Sequence, residues 1–132
     1  MFAERDLSID ADLRRLREAR EWAEQAAREF GFGPDQCYQV KLAMSEAVAN
    51  AIQHGSAGPE DPIHISAKAN GDALIFEVRD TGVYVEPEEP AEMSERGRGL
   101  VVVSLVMDEM HLRPGADGSI LRFVKRLEPA AS

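Results

Sequence analysis

Two runs of alternating apolar residues flank the dipeptide Asn70-Gly71, and this feature restricts the possible fold more than any other part of the sequence. Asn-Gly between alternating runs is the strongest short signal for a β-hairpin with a tight turn. The alternating apolar positions are Ile63, Ile65, Ala67 and Ala69 before the turn and Leu74, Phe76 and Val78 after it. The sequence therefore predicts two antiparallel strands near the middle of the chain, each with one face against a core.

Two helices are predicted before this hairpin. Residues 2–9 can form a short first strand, after which Asp10 is placed to cap a helix that ends at Gly31. Pro34 suits the first position of a second helix, which is predicted to run to about Gln53. Apolar residues recur at helical spacing in the first helix, at Leu13, Leu16, Ala19, Ala23, Ala26, Ala27 and Phe30.

The second half of the chain predicts a long loop, a helix and a closing hairpin. The loop at residues 81–98 contains five glutamates and two prolines, and its length is typical of a lid or another functional segment. The apolar run at residues 100–110 is predicted to be a buried helix, and residues 111–127 are predicted to be two strands. The fold class that follows is an α/β two-layer sandwich, with a mixed, mainly antiparallel sheet and helices on one face.

The size and charge of the chain restrict its function. A length of 132 residues suits a single domain, which we expect to occupy residues 1–132. The formal net charge of −9 disfavours direct binding to nucleic acid and favours protein partners. The first residues lack the apolar run of a signal peptide and no stretch is long enough to span a membrane, so we expect a cytoplasmic protein. The single cysteine, Cys37, is expected to be a small core residue.

Glu46 and Asn50 lie one turn apart on the predicted second helix. They are about 40° apart around its axis and away from the centre of its apolar stripe. That stripe consists of Val40, Met44, Ala47, Val48 and Ala51. A carboxylate and a carboxamide in this arrangement can act together on one ligand. They can equally be ordinary polar residues on a solvated helix side, and the spacing alone does not separate the two interpretations.

Asp80 and Gly82 follow the second strand of the central hairpin. An aspartate at a strand end can accept a hydrogen bond from an exocyclic amine, and a glycine there lets a flat ring approach the backbone. The alternative is a plain Asx turn at the end of a strand.

Gly97 and Gly99 lie where the third helix is predicted to begin. Free backbone N–H groups and the helix dipole at such a position favour an anion, and Arg96 and Arg98 add full positive charge. A phosphate group would suit this site. The alternative is that the glycines form a hinge for the loop.

Taken together and in this order, the three motifs resemble those of the GHKL family of ATP-binding domains, which have the Bergerat-type fold. The matching pattern is Glu46-x-x-x-Asn50-Ala51-x-x-His54, then Asp80-x-Gly82, then Gly97-x-Gly99-Leu100. The stretches at residues 45–55 and 100–110 resemble the stand-alone branch of anti-sigma factor serine/threonine protein kinases. The resemblance extends from the first helix to the last strand.

The resemblance implies a role for each matching residue. Asn50 would coordinate the Mg²⁺ that bridges the phosphates of ATP, Glu46 would be the general base, and Asp80 would bind the adenine amino group. Gly82 would allow the base to pack on the backbone. The phosphates would be wrapped by the segment that contains Gly97, Arg98, Gly99 and Leu100. The implied partners are a sigma factor and a small antagonist protein whose serine is phosphorylated, and a homodimer is also implied.

One position departs from the family pattern. The family motif continues to a second glycine, Asp-x-Gly-x-Gly, whereas this chain has Tyr84 there. A bulky ring at this point leaves open a rival function, a regulator of the same fold that binds proteins with weak nucleotide binding or none. A third class, the catalytic domain of a histidine kinase, would need a phosphoacceptor helical hairpin. We expect no room for such a hairpin beside the single domain predicted at residues 1–132.

Overall fold

The computed structural model describes residues 2–55, 61–81, 95–113, 115 and 118–127. The elements within these ranges are β1 (Arg5–Ile9), α1 (Leu16–Phe30), α2 (Pro34–Asn50), β2 (Ile63–Asn70), β3 (Ala73–Arg79), α3 (Glu95–Val106), β4 (Glu109–Arg113) and β5 (Ile120–Arg126). The strands form one sheet in the order β1-β2-β3-β5-β4, and each neighbouring pair is antiparallel. The last strand in sequence is therefore inserted between β3 and β4.

The helices cover one face of this sheet, and the core lies between the two layers. The fully buried side chains of the inner sheet face include Ile63, Ile65, Leu74, Phe76 and Phe123. Buried residues from the helices are Ala19, Ala23, Ala26 and Ala27 of α1, Val40, Met44, Ala47 and Val48 of α2, and Val103 of α3. Polar residues such as Asp6, His64, Arg79 and Arg122 are exposed on the opposite face. The predicted two-layer α/β sandwich is confirmed, with a sheet that is entirely antiparallel over the described strands.

The cap of the first helix differs from the prediction. Asp12, not Asp10, caps the chain at this point, because its Oδ1 accepts a hydrogen bond from the backbone N–H of Arg14 at 2.9 Å. The backbone is still turning at Asp10, whose carbonyl accepts the N–H of Asp12. A 3₁₀ turn at Leu13–Arg15 then leads into α1. The end at Gly31 is as predicted, with a left-handed φ of 112° that glycine adopts without strain.

The central hairpin forms as predicted, but its turn is shifted by one residue. Asn70 pairs with Ala73 as the last residue of β2, so the turn consists of Gly71 and Asp72. Gly71 has φ of 62° and no residue other than glycine has a positive φ within the described ranges. A type II′ turn has this property, since only its first central residue needs a positive φ.

Two predicted boundaries in the second half are wrong. The loop predicted at residues 81–98 ends earlier, because α3 begins at Glu95 and contains the two glycines. The helix predicted at residues 100–110 ends at Val106, and β4 begins at Glu109. Residues 109–113 form a strand instead of continuing the helix because they pair with β5, beginning with Glu109 opposite Val124. Sequence periodicity does not reveal this pairing.

Candidate functional site

Asn50 is the last residue of α2 and lies in the interior of the protein. It is 7% exposed, and no residue in the described ranges donates a hydrogen bond to its side-chain Oδ1. Buried polar atoms are nearly always hydrogen-bonded, so this oxygen is available to water, an ion or a ligand. A π-helical turn at Ala51–Gly55 follows directly, a feature that is frequent at functional sites. The interpretation of Asn50 as an ordinary solvated residue is therefore wrong.

Glu46 lies one turn before Asn50 and contacts α3. A Cβ atom built on Gly99 would lie 3.1 Å from Glu46 Oε2, so the carboxylate rests against the backbone of the first turns of α3. The glycines were predicted to precede α3, but the structure places Gly97 and Gly99 inside it. Gly99 is buried. The structure thus brings Glu46 and Gly99 together from two helices.

The two predicted residues beside Gly99 in sequence differ in exposure. Arg98 is exposed and Leu100 is partly buried on α3. The helix dipole places partial positive charge at the N-terminal end of α3, next to the exposed guanidinium. This end of α3 is therefore suited to an anion.

Asp80 follows β3 and is held by β5. The Ser119 hydroxyl donates to Asp80 Oδ2 at 2.6 Å, and the Ser119 N–H donates to Oδ1 at 3.2 Å. In return, the Asp80 N–H donates to the Ser119 carbonyl at 3.0 Å. Both residues are buried, at 5% and 3% exposed. The carboxylate therefore has a fixed orientation, and each of its oxygens can accept more than one hydrogen bond.

Gly118 allows Ser119 to reach Asp80. It has φ of 129°, and a Cβ built on it would lie only 2.2 Å from the Asp80 carbonyl oxygen. A side chain at this position is therefore excluded by both backbone conformation and space. Sequence analysis missed Gly118 and Ser119. The only signal was a Gly-Ser pair at the start of the last strand, which resembles any turn.

The described contacts join Glu46 to Gly99 and Asp80 to Ser119, but they do not by themselves join the two pairs. Gly82 and Tyr84 lie outside the described residues. Across the described ranges no group of three or more His, Cys, Asp or Glu side chains could hold a metal ion. Also within those ranges, no helix has both the length and the apolar character needed to cross a membrane.

A family of ATP-binding domains accounts for this combination of fold and site. Residues 9–125 match the family described as Histidine kinase-like ATPase domain. The match covers most of the chain, and the chain therefore belongs to the histidine kinase-like ATPase domain family. The predicted resemblance to the GHKL family of ATP-binding domains is confirmed.

Curated relatives carry names from one regulatory branch of this family. The serine-protein kinase RsbW of Bacillus licheniformis is 29% identical over 119 residues, which cover 76% of this chain and 73% of that protein. An anti-sigma F factor of Clostridium kluyveri is 33% identical over 87 residues, which cover 59% of this chain and 61% of that protein. The names agree with the predicted branch of anti-sigma factor serine kinases.

A solved structure shows the same fold over nearly the whole chain. The crystal structure of the RsbU and RsbW domains of a Mycobacterium tuberculosis protein superposes with a TM-score of 0.76 and 24% sequence identity. The superposition covers 97% of this chain and 34% of the other. The chain thus spans about a third of that larger structure, and the likeness supports the fold assignment.

Proposed function

We propose that this protein is an anti-sigma regulatory factor with ATP-dependent serine kinase activity toward a small antagonist protein. The observation that carries the proposal is the buried Asn50 Oδ1, which no described residue hydrogen-bonds, one helical turn after the Glu46 carboxylate. The names of the curated relatives, serine-protein kinase and anti-sigma F factor, support it independently.

The residues present fit Mg²⁺ and ATP. Mg²⁺ prefers hard oxygen ligands and usually takes only one or two from protein, the others coming from phosphates and water. The Asn50 carboxamide oxygen would be such a ligand, and it is buried with no competing donor among the described residues. Asp80, oriented by Ser119, would accept a hydrogen bond from the adenine amino group. Gly97, Arg98, Gly99 and Leu100 would hold the phosphates, and Gly82 would lie beside the base.

Glu46 would act as the general base. Bound Mg-ATP supplies the γ-phosphoryl group, and the ion offsets charge on the phosphates. The Glu46 carboxylate would accept the proton of the serine hydroxyl as the serine oxygen bonds to phosphorus and the bond to the β-phosphate oxygen breaks. A well-placed base contributes roughly 10²–10⁴ in rate. Asn50 and the α3 segment position the reacting groups, which is the main protein contribution to phosphoryl transfer.

The two protein partners would be a sigma factor, which the chain sequesters, and the antagonist, whose phosphorylated form no longer displaces it. The net charge of −9 suits protein partners rather than direct contact with nucleic acid. The proposal includes a cytoplasmic location, a single domain at residues 1–132 and a homodimer. Light scattering over a range of concentrations tests the dimer, and a monomer mass throughout would reject it.

Replacing Glu46 by Gln tests the catalytic part of the proposal. The substitution keeps the size of the side chain and removes the base, so phosphorylation should fall by about two orders of magnitude or more. The affinity for Mg-ATP should change by only a small factor. Phosphoserine formation on purified candidate antagonists is measured by mass spectrometry, and ATP affinity by titration calorimetry. Glu21→Gln, on the exposed side of α1, is the matched control.

The result also separates the rival function, a regulator that binds proteins without using ATP. Tyr84 in place of the second motif glycine favours that rival. If the ring obstructs the base pocket, Tyr84→Gly should tighten nucleotide binding. Wild-type protein that binds a sigma factor but shows no heat of binding with millimolar Mg-ATP would favour the rival, and an unchanged phosphorylation rate in Glu46→Gln would remove Glu46 from the mechanism.

A further inference from the structure

We propose that Gly99 is a positioning residue for the Glu46 carboxylate, because the absence of a side chain at residue 99 sets where that carboxylate lies. This inference rests on the proposed function, in which Glu46 is the base. It assigns Gly99 a role in addition to holding the phosphates, which is the role that the family resemblance implies.

The contact between the two residues is specific. In the described part of the chain, the atoms within 4 Å of a Cβ built on Gly99, apart from the backbone of α3 itself, both belong to Glu46. They are the side-chain Oε2 at 3.1 Å and the backbone carbonyl oxygen at 4.0 Å. A methyl group at residue 99 would therefore press on the carboxylate and on little else.

The helix that carries Gly99 cannot easily move away. Val103 in the middle of α3 is fully buried, and Met107, the residue after the helix, is 6% exposed. The buried Lys125 ammonium donates to the Val106 carbonyl at 2.7 Å, and the Asp108 N–H donates to the Val124 carbonyl at 2.9 Å. These bonds fix the C-terminal end of α3 to β5.

The Glu46 side chain is the part that can give way. It is only partly buried and it can change rotamer, whereas the packed helix cannot shift without disturbing the core. A side chain at residue 99 would therefore shift the carboxylate by a few tenths of an ångström against the first turns of α3. With glycine at residue 99, the Glu46 carboxylate keeps its position against the first turns of α3.

A stability cycle on the full chain without ligand tests the contact. Alanine in place of a helical glycine ordinarily stabilises a helix. We expect Gly99→Ala to raise Tm in a Glu46→Ala background, where the carboxylate is absent, but not in wild type. A Glu46→Gln background, which keeps the length of the side chain, should behave as wild type. Equal changes in Tm in all three backgrounds would overturn the inference.

Kinetics then test the positioning role. A shift of the carboxylate by a few tenths of an ångström should lower kcat for phosphorylation of the antagonist by roughly three- to tenfold in Gly99→Ala. Because Gly99 is also among the residues proposed to hold the phosphates, the effect of Gly99→Ala on kcat is measured at saturating Mg-ATP in wild type and in Glu46→Gln. The fall in kcat should be present in the first background and absent in the second. An equal fall in both backgrounds would show that Gly99 acts on the nucleotide alone and would overturn the inference.

The two experiments distinguish failure of the inference from failure of the proposed function. Wild-type protein that phosphorylates the antagonist while the Tm cycle shows no coupling refutes the inference alone. Wild-type protein that transfers no phosphate refutes the proposed function and, with it, the catalytic meaning of the contact, even where the coupling in Tm is present.

Discussion

Asp80 and Asn50 are both buried polar residues, but their hydrogen bonding differs. Asp80 exchanges three hydrogen bonds with Ser119, whereas the Asn50 Oδ1 has no donor in the part of the chain that the structure describes. A buried polar group without a partner costs about 1–3 kcal/mol of stability. The comparison suggests that Asp80 is part of the fold as well as of the site, while Asn50 is kept for a ligand. The substitutions below separate those contributions.

Asp80→Ala should have the largest effect on stability. It removes both acceptor oxygens, so the hydroxyl and the N–H of Ser119 lose the partner that each has in the native structure. We expect the free energy of unfolding to fall by about 2–3 kcal/mol, as for a buried hydrogen bond to a charged group. Denaturation by urea measures this. Unchanged stability together with lost ATP binding would show that Asp80 serves the ligand alone.

Ser119→Ala should have an intermediate effect. It removes the hydroxyl that donates to Asp80 but keeps the backbone N–H, so the carboxylate loses one of its two bonds from Ser119. The expected fall in the free energy of unfolding is about 1–2 kcal/mol. Ser104→Ala, which removes an exposed hydroxyl bonded to the Val101 carbonyl, is the control. An equal effect of both substitutions would mean that the hydrogen bond from the Ser119 hydroxyl to Asp80 adds no stability beyond that of an exposed hydroxyl.

Asn50→Ala should change the stability of the ligand-free protein by less than about 1 kcal/mol, because its oxygen makes no hydrogen bond with the described residues that could be lost. It should instead remove the Mg²⁺ dependence of ATP binding. Calorimetry with ATP in excess Mg²⁺ and in chelator measures that dependence, and the exposed Gln53→Ala is the control. A large loss of stability in Asn50→Ala would place Asn50 with Asp80 as a structural residue.

The smallest effect is expected far from the site, at the exposed cap of the first helix. The hydrogen bonds from Arg14 lower the pKa of Asp12 to about 2. Because the pKa is depressed in the folded state, the ionised carboxylate stabilises the protein above its unfolded pKa near 3.8, and this stabilisation is lost as pH falls toward about 2. The Tm difference between wild type and Asp12→Asn should therefore shrink over that range. A difference that is constant with pH would contradict this.

The sequence predicted those parts of the protein that depend on neighbours along the chain. Glu46 and Asn50 share a helix whose apolar periodicity is clear, and Gly31 and Pro34 mark helix ends by their backbone chemistry. The family match confirms the predicted family. By contrast, the roles of the site residues remain predictions, because no ligand contact is described for them.

The parts that could not be predicted depend on residues far apart in sequence. Ser119 meets Asp80 only because β5 pairs with β3, and Glu46 meets Gly99 only because α3 packs on α2. The cap at Asp12 and the turn at Gly71 were missed by one or two positions, since neighbouring residues had similar propensities and hydrogen bonding decided between them. Periodicity contains no information on such contacts.

The insertion of β5 between β3 and β4 has a consequence for how the protein is made. Every strand except β5 is synthesised before Ser119, whose hydroxyl and N–H donate to Asp80. On the ribosome, the edge of β3 that pairs with β5 therefore stays unpaired until residues 118–126 have emerged. Contacts between distant segments form slowly and leave strand edges exposed in the meantime. A nascent chain that is stalled before residue 118 should thus expose the edge of β3 to aggregation.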